Sequence, residues 1–266
     1  MPAPRKPALL GSVSSAATEE SQDRLAVLID ADNAQASIID GLLAEVAKFG
    51  IASVKRIYGD WTQPQLGSWK KILLEHSIVP VQQFGYTKGK NATDSSLIID
   101  AMDLLYTGRF DGFCLVSSDS DFTRLASRLR EQGLLVYGFG ERKTPEPFVA
   151  ACDKFVYTEV LRRTPDKPAT SSEQPRPARV TDDRQLLIDL IADAIDAVSD
   201  DSGWAQLGSV GSNITKLRPD FDSRLYGHRK FSDLVKSLPE HFEVDEQAAS
   251  GSGGKSIYVR NVRRAR

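Results

Sequence analysis

Short apolar runs alternate with helix-like stretches from about residue 23 to residue 161, and this alternation limits the fold of the 266-residue chain more than any other feature. The runs have the length of strands and are rich in β-branched residues, as in RLAVLID and FCLVSS. They are continuously apolar rather than alternating, which is typical of parallel strands covered by helices on both faces. The pattern predicts an α/β fold with a parallel sheet.

The same pattern predicts six strands and five helices in this part of the chain. The predicted strands cover residues 24–30, 53–59, 79–85, 113–118, 134–140 and 154–158. The predicted helices cover residues 36–49, 65–76, 93–106, 121–132 and 145–151. The last strand is short and is expected at the edge of the sheet.

A Pro-rich segment separates this part from the rest of the chain. The sequence RRTPDKPATSSEQPRPAR holds four prolines and no apolar side chain larger than Ala or Pro, so it reads as a semi-rigid linker. The N-terminal residues 1–22 are rich in Pro, Ala and Ser and are expected to be disordered. We therefore predict domains at 23–161 and 182–262, joined by a linker over 162–181.

The second domain has a different pattern. Residues 183–198 carry apolar side chains at helical spacing, and two shorter helices are predicted over 207–217 and 228–237. The segments HFEVDEQ and KSIYVRN then flank AASGSGG, as the two strands of a wing would. Three helices followed by a hairpin predict a small α+β winged-helix domain.

Composition excludes several classes of protein. No apolar run approaches the roughly 18 residues of a membrane span, and the N-terminus lacks the apolar core of a secretory signal. Two cysteines, Cys114 and Cys152, are too few for a disulfide framework, so a reduced cytoplasmic compartment is expected.

Charge is unevenly distributed along the chain. Residues 22–161 contain 15 Lys and Arg against 18 Asp and Glu, whereas residues 202–266 contain 11 against 7. An acidic body with a basic C-terminal part suits a cation site beside a surface for polyanions. A chance imbalance of this modest size is the competing interpretation.

Aspartates follow two of the predicted strands. Asp30 ends the first strand, and Asp119 ends the fourth, with Asp121 two residues later. In an open parallel sheet, ligands bind beyond the carboxyl ends of the strands. These three carboxylates therefore meet if strands one and four are neighbours, which a doubly wound topology would provide.

A fourth carboxylate comes from a predicted helix. Asp94 lies in the first turn of the helix over 93–106, in line with Leu97, Ile98 and Ala101 on its apolar face. Its side chain is expected to point towards the sheet, where a carboxylate needs a cation or strong donors. Asp100 and Asp103 are expected to face solvent or to support the site.

Asp30, Asp94, Asp119 and Asp121 together predict an oxygen-only site for Mg²⁺ or Mn²⁺. The three histidines lie far from these motifs, and no Cys/His spacing suggests zinc. A cation held by carboxylates activates water for phosphodiester cleavage and stabilises the leaving oxygen. The competing structural interpretations are that Asp121 caps a helix and that Asp94 faces a helix dipole. Asp30, directly after an apolar strand, is harder to explain in structural terms.

The segments that carry these acids resemble a known family. LAVLIDADN, IYGDW, KNATDSSLIIDAM and LVSSDSDFTRLASRLREQG together look like the NYN domain, a PIN-like ribonuclease family that includes LabA-like bacterial proteins. The resemblance covers about residues 23–160 and implies a PIN-like fold and a metal-dependent ribonuclease site. Its motifs place that site on Asp30, Asn33, Asp94, Asp119 and Asp121. Many members have Gly and a small residue where this chain has Ala31-Asp32, so Asp32 is either a ligand or a bystander; Ser118 is expected to support the site.

The C-terminal segment resembles a LOTUS (OST-HTH) domain, a winged helix associated with RNA binding. The resemblance rests on LGSVGSNITKLRPDFDSRLYGHRKFSDLVKSL and covers about residues 182–262. A winged helix meets nucleic acid through its second and third helices, and we expect basic residues there to contact RNA. They are Lys216, Arg218, Arg224, His228, Arg229 and Lys230.

The competing interpretation of these basic residues is a solvated helix face. Tyr226 is either a stacking partner for a base or a core aromatic. Lys88 and Lys90, shortly before Asp94, are placed to meet the phosphates of the scissile strand, or else belong to a mobile basic loop.

The sequence therefore predicts a cytoplasmic, Mg²⁺- or Mn²⁺-dependent ribonuclease with a tethered RNA-binding domain. One alternative is a haloacid-dehalogenase-type phosphatase, which also needs the D-x-D of Asp30 and Asp32, although Asn33 stands where Thr or Val is usual. A second is a non-catalytic protein that binds RNA through both domains. A homo-oligomer, or a protein partner bound through the C-terminal domain, is also compatible with the sequence, whereas no membrane partner is expected.

Overall fold

The computed structural model describes residues 22–84, 92–162, 177–248 and 255–262. The first domain contains a six-stranded parallel sheet flanked by helices, which confirms the predicted fold class. Its strands are β1 (Arg24–Asp30), β2 (Ile51–Gly59), β3 (Val79–Gln82), β4 (Gly112–Val116), β5 (Leu135–Gly140) and β6 (Lys154–Tyr157). Each strand lies within two or three residues of its predicted position.

Five helices of this domain connect the strands. They are α1 (Ile39–Val46), α2 (Trp69–Glu75), α3 (Ala92–Tyr106), α4 (Thr123–Glu131) and α5 (Glu146–Ala150). Three of them are preceded by a tight turn of 3-10 helix, so their α-helical parts begin two to four residues later than predicted. These turns are Ala36–Ile38, Pro64–Ser68 and Ser120–Phe122.

The strand order β3-β2-β1-β4-β5-β6 places β1 beside β4 in the middle of the sheet. Ile29 of β1 is opposite Val116 of β4 in the parallel register. The direction in which strands are added reverses between these two, and open α/β sheets bind ligands at such a reversal. Strands one and four are therefore adjacent, as the site requires.

The sheet has an apolar core on each face. The residues of β1 after Arg24 are all buried, with Leu25, Val27 and Ile29 on one face and Ala26 and Leu28 on the other. One core packs under α1 and α2, and the other under α3, α4 and α5. In the described part of the chain the helices cover both faces of the sheet, which leaves the ends of the strands open to a ligand.

The second domain is a winged helix of three helices and a small antiparallel sheet, as predicted. Its elements are α6 (Pro177–Val198), β7 (Ala205–Gln206), α7 (Leu207–Leu217), α8 (Phe231–Lys236), β8 (Phe242–Ala248) and β9 (Lys255–Asn261). The sheet order is β7-β9-β8, and the two-residue strand β7 was not predicted. Among the described residues, no helix is both long and apolar enough to cross a membrane.

Two boundaries of this domain differ from the sequence prediction. Helix α6 begins at Pro177, within the segment that we assigned to the linker. The third helix begins at Phe231 rather than residue 228, because Gly227 has a φ of 82° and Lys230 is extended. A 3-10 turn, Ser223–Tyr226, lies between α7 and this helix.

The two domains contact each other directly, which the sequence analysis did not anticipate. The backbone N–H of Phe155 in edge strand β6 donates to the carbonyl of Pro219 at 2.9 Å. The Tyr157 hydroxyl donates to Asp220 at 3.1 Å. The guanidinium of Arg224 donates to both carboxylate oxygens of Glu45 in α1, at 2.9 and 3.1 Å. The exposed edge of the sheet is thus partly covered by the second domain.

Candidate metal centre

Three of the four predicted acids converge at the carboxyl edge of the sheet. Asp94, Asp119 and Asp121 each offer a carboxylate oxygen, and these oxygens all lie within 4.8 Å of one another. Asp94 and Asp119 are partly buried, whereas Asp121 is exposed. The arrangement is a shallow acidic cluster that is open to solvent on one side.

Helix α3 brings Asp94 to this cluster through its buried face. Leu97 and Ala101, three and seven residues later, are buried against the sheet, so Asp94 lies on the same side as predicted. Asp100 holds the helix in place, because its carboxylate accepts hydrogen bonds from Arg56 and Tyr58 of β2. Asp100 therefore faces β2 and not solvent.

The loop after β4 positions the other two acids. Asp119 is the N-cap of the 3-10 turn Ser120–Phe122, and its Oδ1 accepts a hydrogen bond from the backbone N–H of Asp121 at 2.9 Å. Phe122 is buried and anchors the turn. Asp119 therefore caps the 3-10 turn, and Asp121 lies inside that turn and is not its cap.

Repulsion among the carboxylates is visible in the electrostatics of Asp94. Burial raises its pKa first, and the charges of Asp30, Asp119, Asp121 and Asp32 raise it further, to about 6. A cation bound among these oxygens would remove this repulsion. The donor set suits Mg²⁺ or Mn²⁺, since hard divalent cations prefer carboxylate oxygens.

Asp30 lies deeper than the cluster and is fully buried. Its oxygens accept hydrogen bonds from the Asp32 backbone N–H (3.0 Å), the Asn33 side-chain amide (2.7 Å) and the Ser117 hydroxyl (2.8 Å). Burial raises the pKa of Asp30, and these hydrogen bonds only partly oppose the shift. Although its charge acts on Asp94, Asp30 is not one of the three residues whose oxygens lie within 4.8 Å.

Two serines connect the ends of the central strands. Ser117 donates to Asp30 and its Oγ also accepts from the backbone N–H of Asp119 at 3.1 Å, so it links the buried acid to the exposed cluster. Ser118, which we predicted as a supporting residue, accepts from the backbone N–H of Glu141 at 2.9 Å. A Cβ on Gly140 would approach the Ser117 carbonyl to 2.6 Å, so β5 needs glycine there.

Sequence reasoning missed Ser117, although the strand register could have identified it. Ile29 pairs with Val116, so the next residues along the two strands are Asp30 and Ser117. A polar residue beside a buried carboxylate is expected to be its hydrogen-bond partner.

The predicted RNA-contacting residues divide into three groups. Lys88 and Lys90 lie outside the described residues. Five side chains are exposed or partly exposed on α7 or the segment that follows it, and they remain available to a ligand. They are Lys216, Arg218, His228, Arg229 and Lys230.

Arg224 has a different position from the one we expected. Its guanidinium pairs with Asp222 as well as with Glu45, and its side chain is 28% exposed while those of Glu45 and Asp222 are 7% and 12% exposed. The hydrogen bonds that Arg224 donates to the Asp222 carboxylate raise the pKa of Arg224 above its ordinary value. The geometry indicates a contact between domains rather than a contact with RNA.

Comparison with known sequences places both domains in families. The sequence model of the NYN domain matches residues 24–160, and that of the OST-HTH/LOTUS domain matches residues 180–252. No curated protein matches the chain significantly.

Three solved structures are similar to parts of the chain. An uncharacterised protein of Nitrosomonas europaea is 35% identical over 40% of this chain and 93% of its own, with a TM-score of 0.29. A Chromobacterium violaceum protein is 37% identical over 30% of this chain and 83% of its own, with a TM-score of 0.26. A Vibrio parahaemolyticus protein of unknown function is 19% identical over 52% of this chain and 94% of its own, with a TM-score of 0.43.

The NYN match spans more than half of the chain and includes all four predicted acids. The parallel sheet and the acidic cluster at its carboxyl edge agree with this match. The chain therefore belongs to the NYN domain family and carries an OST-HTH/LOTUS domain after it, which supports a ribonuclease-type or RNA-binding role.

Proposed function

We propose that the protein is a ribonuclease that cleaves RNA phosphodiester bonds with the help of Mg²⁺ or Mn²⁺. The observation that carries the proposal is the convergence of Asp94, Asp119 and Asp121 at the switch point of a parallel sheet. The three acids come from two separate elements, α3 and the loop after β4, so their meeting is not a consequence of sequence proximity. The NYN family match supports the same chemistry.

In this proposal Asp94, Asp119 and Asp121 hold the cation. When bound, a divalent cation lowers the pKa of a water molecule and stabilises negative charge on a leaving oxygen. The exposed side of the cluster, at Asp121, admits the substrate strand. The hydrogen bond from the Asp121 backbone N–H fixes the orientation of the Asp119 carboxylate, which would be one ligand of the cation.

Asp30 acts in this proposal as a positioning residue. Its oxygens already accept three hydrogen bonds, so its contribution is to fix Ser117 and the Asp32–Asn33 turn and to add negative charge beneath the cluster. Asp32 is exposed, and its charge also acts on Asp94. Asn33 donates to Asp30 and thereby holds the loop after β1.

RNA binding is assigned mainly to the second domain. Lys216, Arg218, Arg229 and Lys230 are exposed cations on that domain, and His228 lies among them. Cations on a winged helix neutralise backbone phosphates without reading sequence.

The test is cleavage of labelled single-stranded RNA by the full chain, in Mn²⁺ and in EDTA. We expect the wild type to cleave RNA in Mn²⁺ and not in EDTA, and we expect Asp119→Asn to lose cleavage in Mn²⁺. The matched control is Asp103→Asn, which makes the same change at an exposed position of α3 outside the cluster. Equal activity of Asp119→Asn and wild type would contradict the proposed metal centre.

A non-catalytic RNA-binding protein is the second candidate function, because the OST-HTH/LOTUS match by itself supports only binding. Tight RNA binding without cleavage in any divalent cation would favour it. The phosphatase alternative is weakened by the burial of Asp30, because a nucleophilic carboxylate must reach its substrate. Hydrolysis of a phosphomonoester with phosphorylation of Asp30 would revive that alternative.

A further inference from the structure

The contact between the two domains encloses a cleft of about 670 Å³. Arg142 and Tyr157 line it from the first domain, and Arg184, Arg218 and Tyr226 line it from the second. Its volume falls within the roughly 300–1,000 Å³ that is common for ligand sites. Because Arg142 and Tyr157 belong to the first domain, the cleft has its complete lining only while the domains are in contact.

The polar lining of this cleft is predominantly basic. Three guanidinium groups, those of Arg142, Arg184 and Arg218, face a single carboxylate, that of Asp220. Asp220 is already engaged, since it pairs with Arg218 at 3.4 Å and accepts from Tyr157 at 3.1 Å. The residual charge is positive, which suits an anionic ligand.

The electrostatics of Tyr157 show that arginines from both domains converge at one place. Burial, and then the charge and hydrogen bond of Asp220, raise the pKa of this phenol to about 12, while the charges of Arg142 and Arg218 oppose the shift. Arg142 belongs to the loop after β5, and Arg218 directly follows α7. Two cations on separate domains thus act on the same phenol oxygen.

The rest of the lining is apolar and aromatic. Leu186 is 66% exposed and Tyr226 is 41% exposed, and both line the cleft. Aromatic faces beside a track of cations are the usual means of holding single-stranded nucleic acid, because bases stack while phosphates pair. A duplex would hide its bases and offer no base face to Tyr226.

The cleft opens at the same edge of the sheet as the acidic cluster. Tyr157 is the last residue of β6, Arg142 follows β5, and Asp119 follows β4. These strands are consecutive neighbours in the parallel sheet. With strands about 4.8 Å apart, β6 lies about 10 Å from β4. The backbone N–H of Glu141 donates to the Ser118 hydroxyl, which connects the loop after β5 to the loop that carries Asp119.

We propose that the cleft between the domains is a binding track for single-stranded RNA that leads to the acidic cluster, with Arg142, Arg184 and Arg218 on the phosphates and Tyr226 stacked on a base. The binding step stands independently of catalysis, while the direction of the track rests on the proposed ribonuclease function. Arg142 and Arg184 are assigned here in addition to the residues that the sequence predicted.

The test is RNA binding by the full chain in EDTA, where no cleavage interferes. Fluorescein-labelled oligo(U) is titrated at several salt concentrations against wild type, Arg142→Ala, Arg184→Ala and the double variant. Each substitution is expected to weaken binding and to reduce the slope of log affinity against log salt by about 0.7, the contribution of one phosphate contact in a single strand. Arg109→Ala is the matched control, because Arg109 is exposed between α3 and β4 at the opposite edge of the sheet.

Unchanged affinity and slope in both single variants would overturn the proposal and leave the apolar lining for a polypeptide partner. Thermal unfolding of each variant identifies any loss of fold.

A second measurement does not depend on substitution. RNA that contains 4-thiouridine is cross-linked to the wild type, and the cross-linked peptides are mapped. Cross-links at Tyr226 and on the segments around Arg142 support the track, whereas cross-links confined to Arg229 and Lys230 overturn it. If the variants lose binding while wild type never cleaves RNA, the track stands and the proposed ribonuclease activity fails.

Discussion

Two groups of carboxylates in this molecule have opposite electrostatic environments. At the edge of the sheet, the Asp94 pKa is raised to about 6 by burial and by neighbouring acids. At the contact between domains, burial also raises the pKa of Glu45, but hydrogen bonds from Arg224 and Lys48 outweigh it, and the net shift is downward. Asp222 behaves like Glu45, again because of Arg224.

The difference separates a binding site from a structural contact. Glu45 and Asp222 have their countercharge supplied by the chain itself, so their ionised forms stabilise the folded arrangement. The acids around Asp94, in contrast, oppose the ionisation of Asp94 in the same protein. A cluster that the fold keeps despite this cost is a candidate for function, because strongly perturbed groups concentrate at functional sites.

The largest expected effect comes from removing one charge from the cluster. Asp119→Asn should lower RNA cleavage in Mn²⁺ by about 100-fold or more, since the loss of a ligand exceeds the 10- to 100-fold effect of losing an outer-shell partner. In EDTA the same variant should be at least as thermally stable as wild type, because repulsion is reduced. A variant that is inactive and clearly less stable in EDTA would instead indicate a structural role for Asp119.

The sequence was sufficient for the six strands and five helices of the first domain, because most of the strands are continuously apolar and the turns carry Gly and Asp. It also identified three cluster acids, since Asp94 follows helical spacing and Asp119 and Asp121 follow a buried strand. It did not separate Asp30 from that group. Asp30 ends β1, and its distance from the exposed cluster depends on side-chain packing. The periodicity of the sequence does not determine that packing.

The contact between domains was beyond the reach of sequence reasoning. Glu45 and Arg224 are 179 residues apart, and each alone resembles an ordinary surface charge. A Pro-rich linker and a basic winged helix predicted only a tether. Arg142 and Arg184 are likewise distant in the sequence, and they line one cleft only because the second domain lies against β6.

The next prediction concerns Glu45 and Asp222, the carboxylates whose charge is balanced by Arg224. Arg224→Ala should destabilise the contact between domains by about 2 kcal/mol, because it removes charged hydrogen bonds to two largely buried carboxylates. The distance between dyes placed on the two domains, measured by single-molecule energy transfer, should increase and broaden. Arg109→Ala is the control, and Arg224→Lys should recover only part of the loss because it lacks the forked geometry. An unchanged distance distribution would show that the backbone contact at Phe155 is sufficient.

A smaller effect is expected from the serine that joins the buried acid to the cluster. Ser117→Ala removes a donor to Asp30 and an acceptor for the Asp119 backbone, so RNA cleavage should decrease by about 10-fold. Ser120→Ala, at an exposed position in the adjacent turn, is the control and should retain activity. Measuring cleavage at several Mn²⁺ concentrations distinguishes the mechanisms. Recovery at high Mn²⁺ indicates weakened metal binding, and full activity at all concentrations would contradict the linking role.

The smallest effect is a pH dependence that differs between the two carboxylate groups. The folded pKa of Asp94, about 6, is above its ordinary value of 3.8, so its ionisation penalises folding fully above about pH 6 and less as pH falls towards 3.8. Asp30 shifts in the same direction. Glu45 has a folded pKa below its ordinary value of 4.5, so its stabilisation is present above 4.5 and is lost only as pH falls through the lower folded value.

In EDTA, lowering the pH from about 7 to about 5 should therefore raise the unfolding free energy of wild type by less than about 1 kcal/mol, after allowance for solvent screening. The separation of the domains should not change over that interval. Asp94→Asn should show a weaker pH dependence than wild type, and Mg²⁺ should suppress the wild-type effect because it compensates the same charges. If wild type and Asp94→Asn respond identically to pH, the repulsion at the edge of the sheet is not expressed in stability, and the contrast between the two carboxylate groups fails.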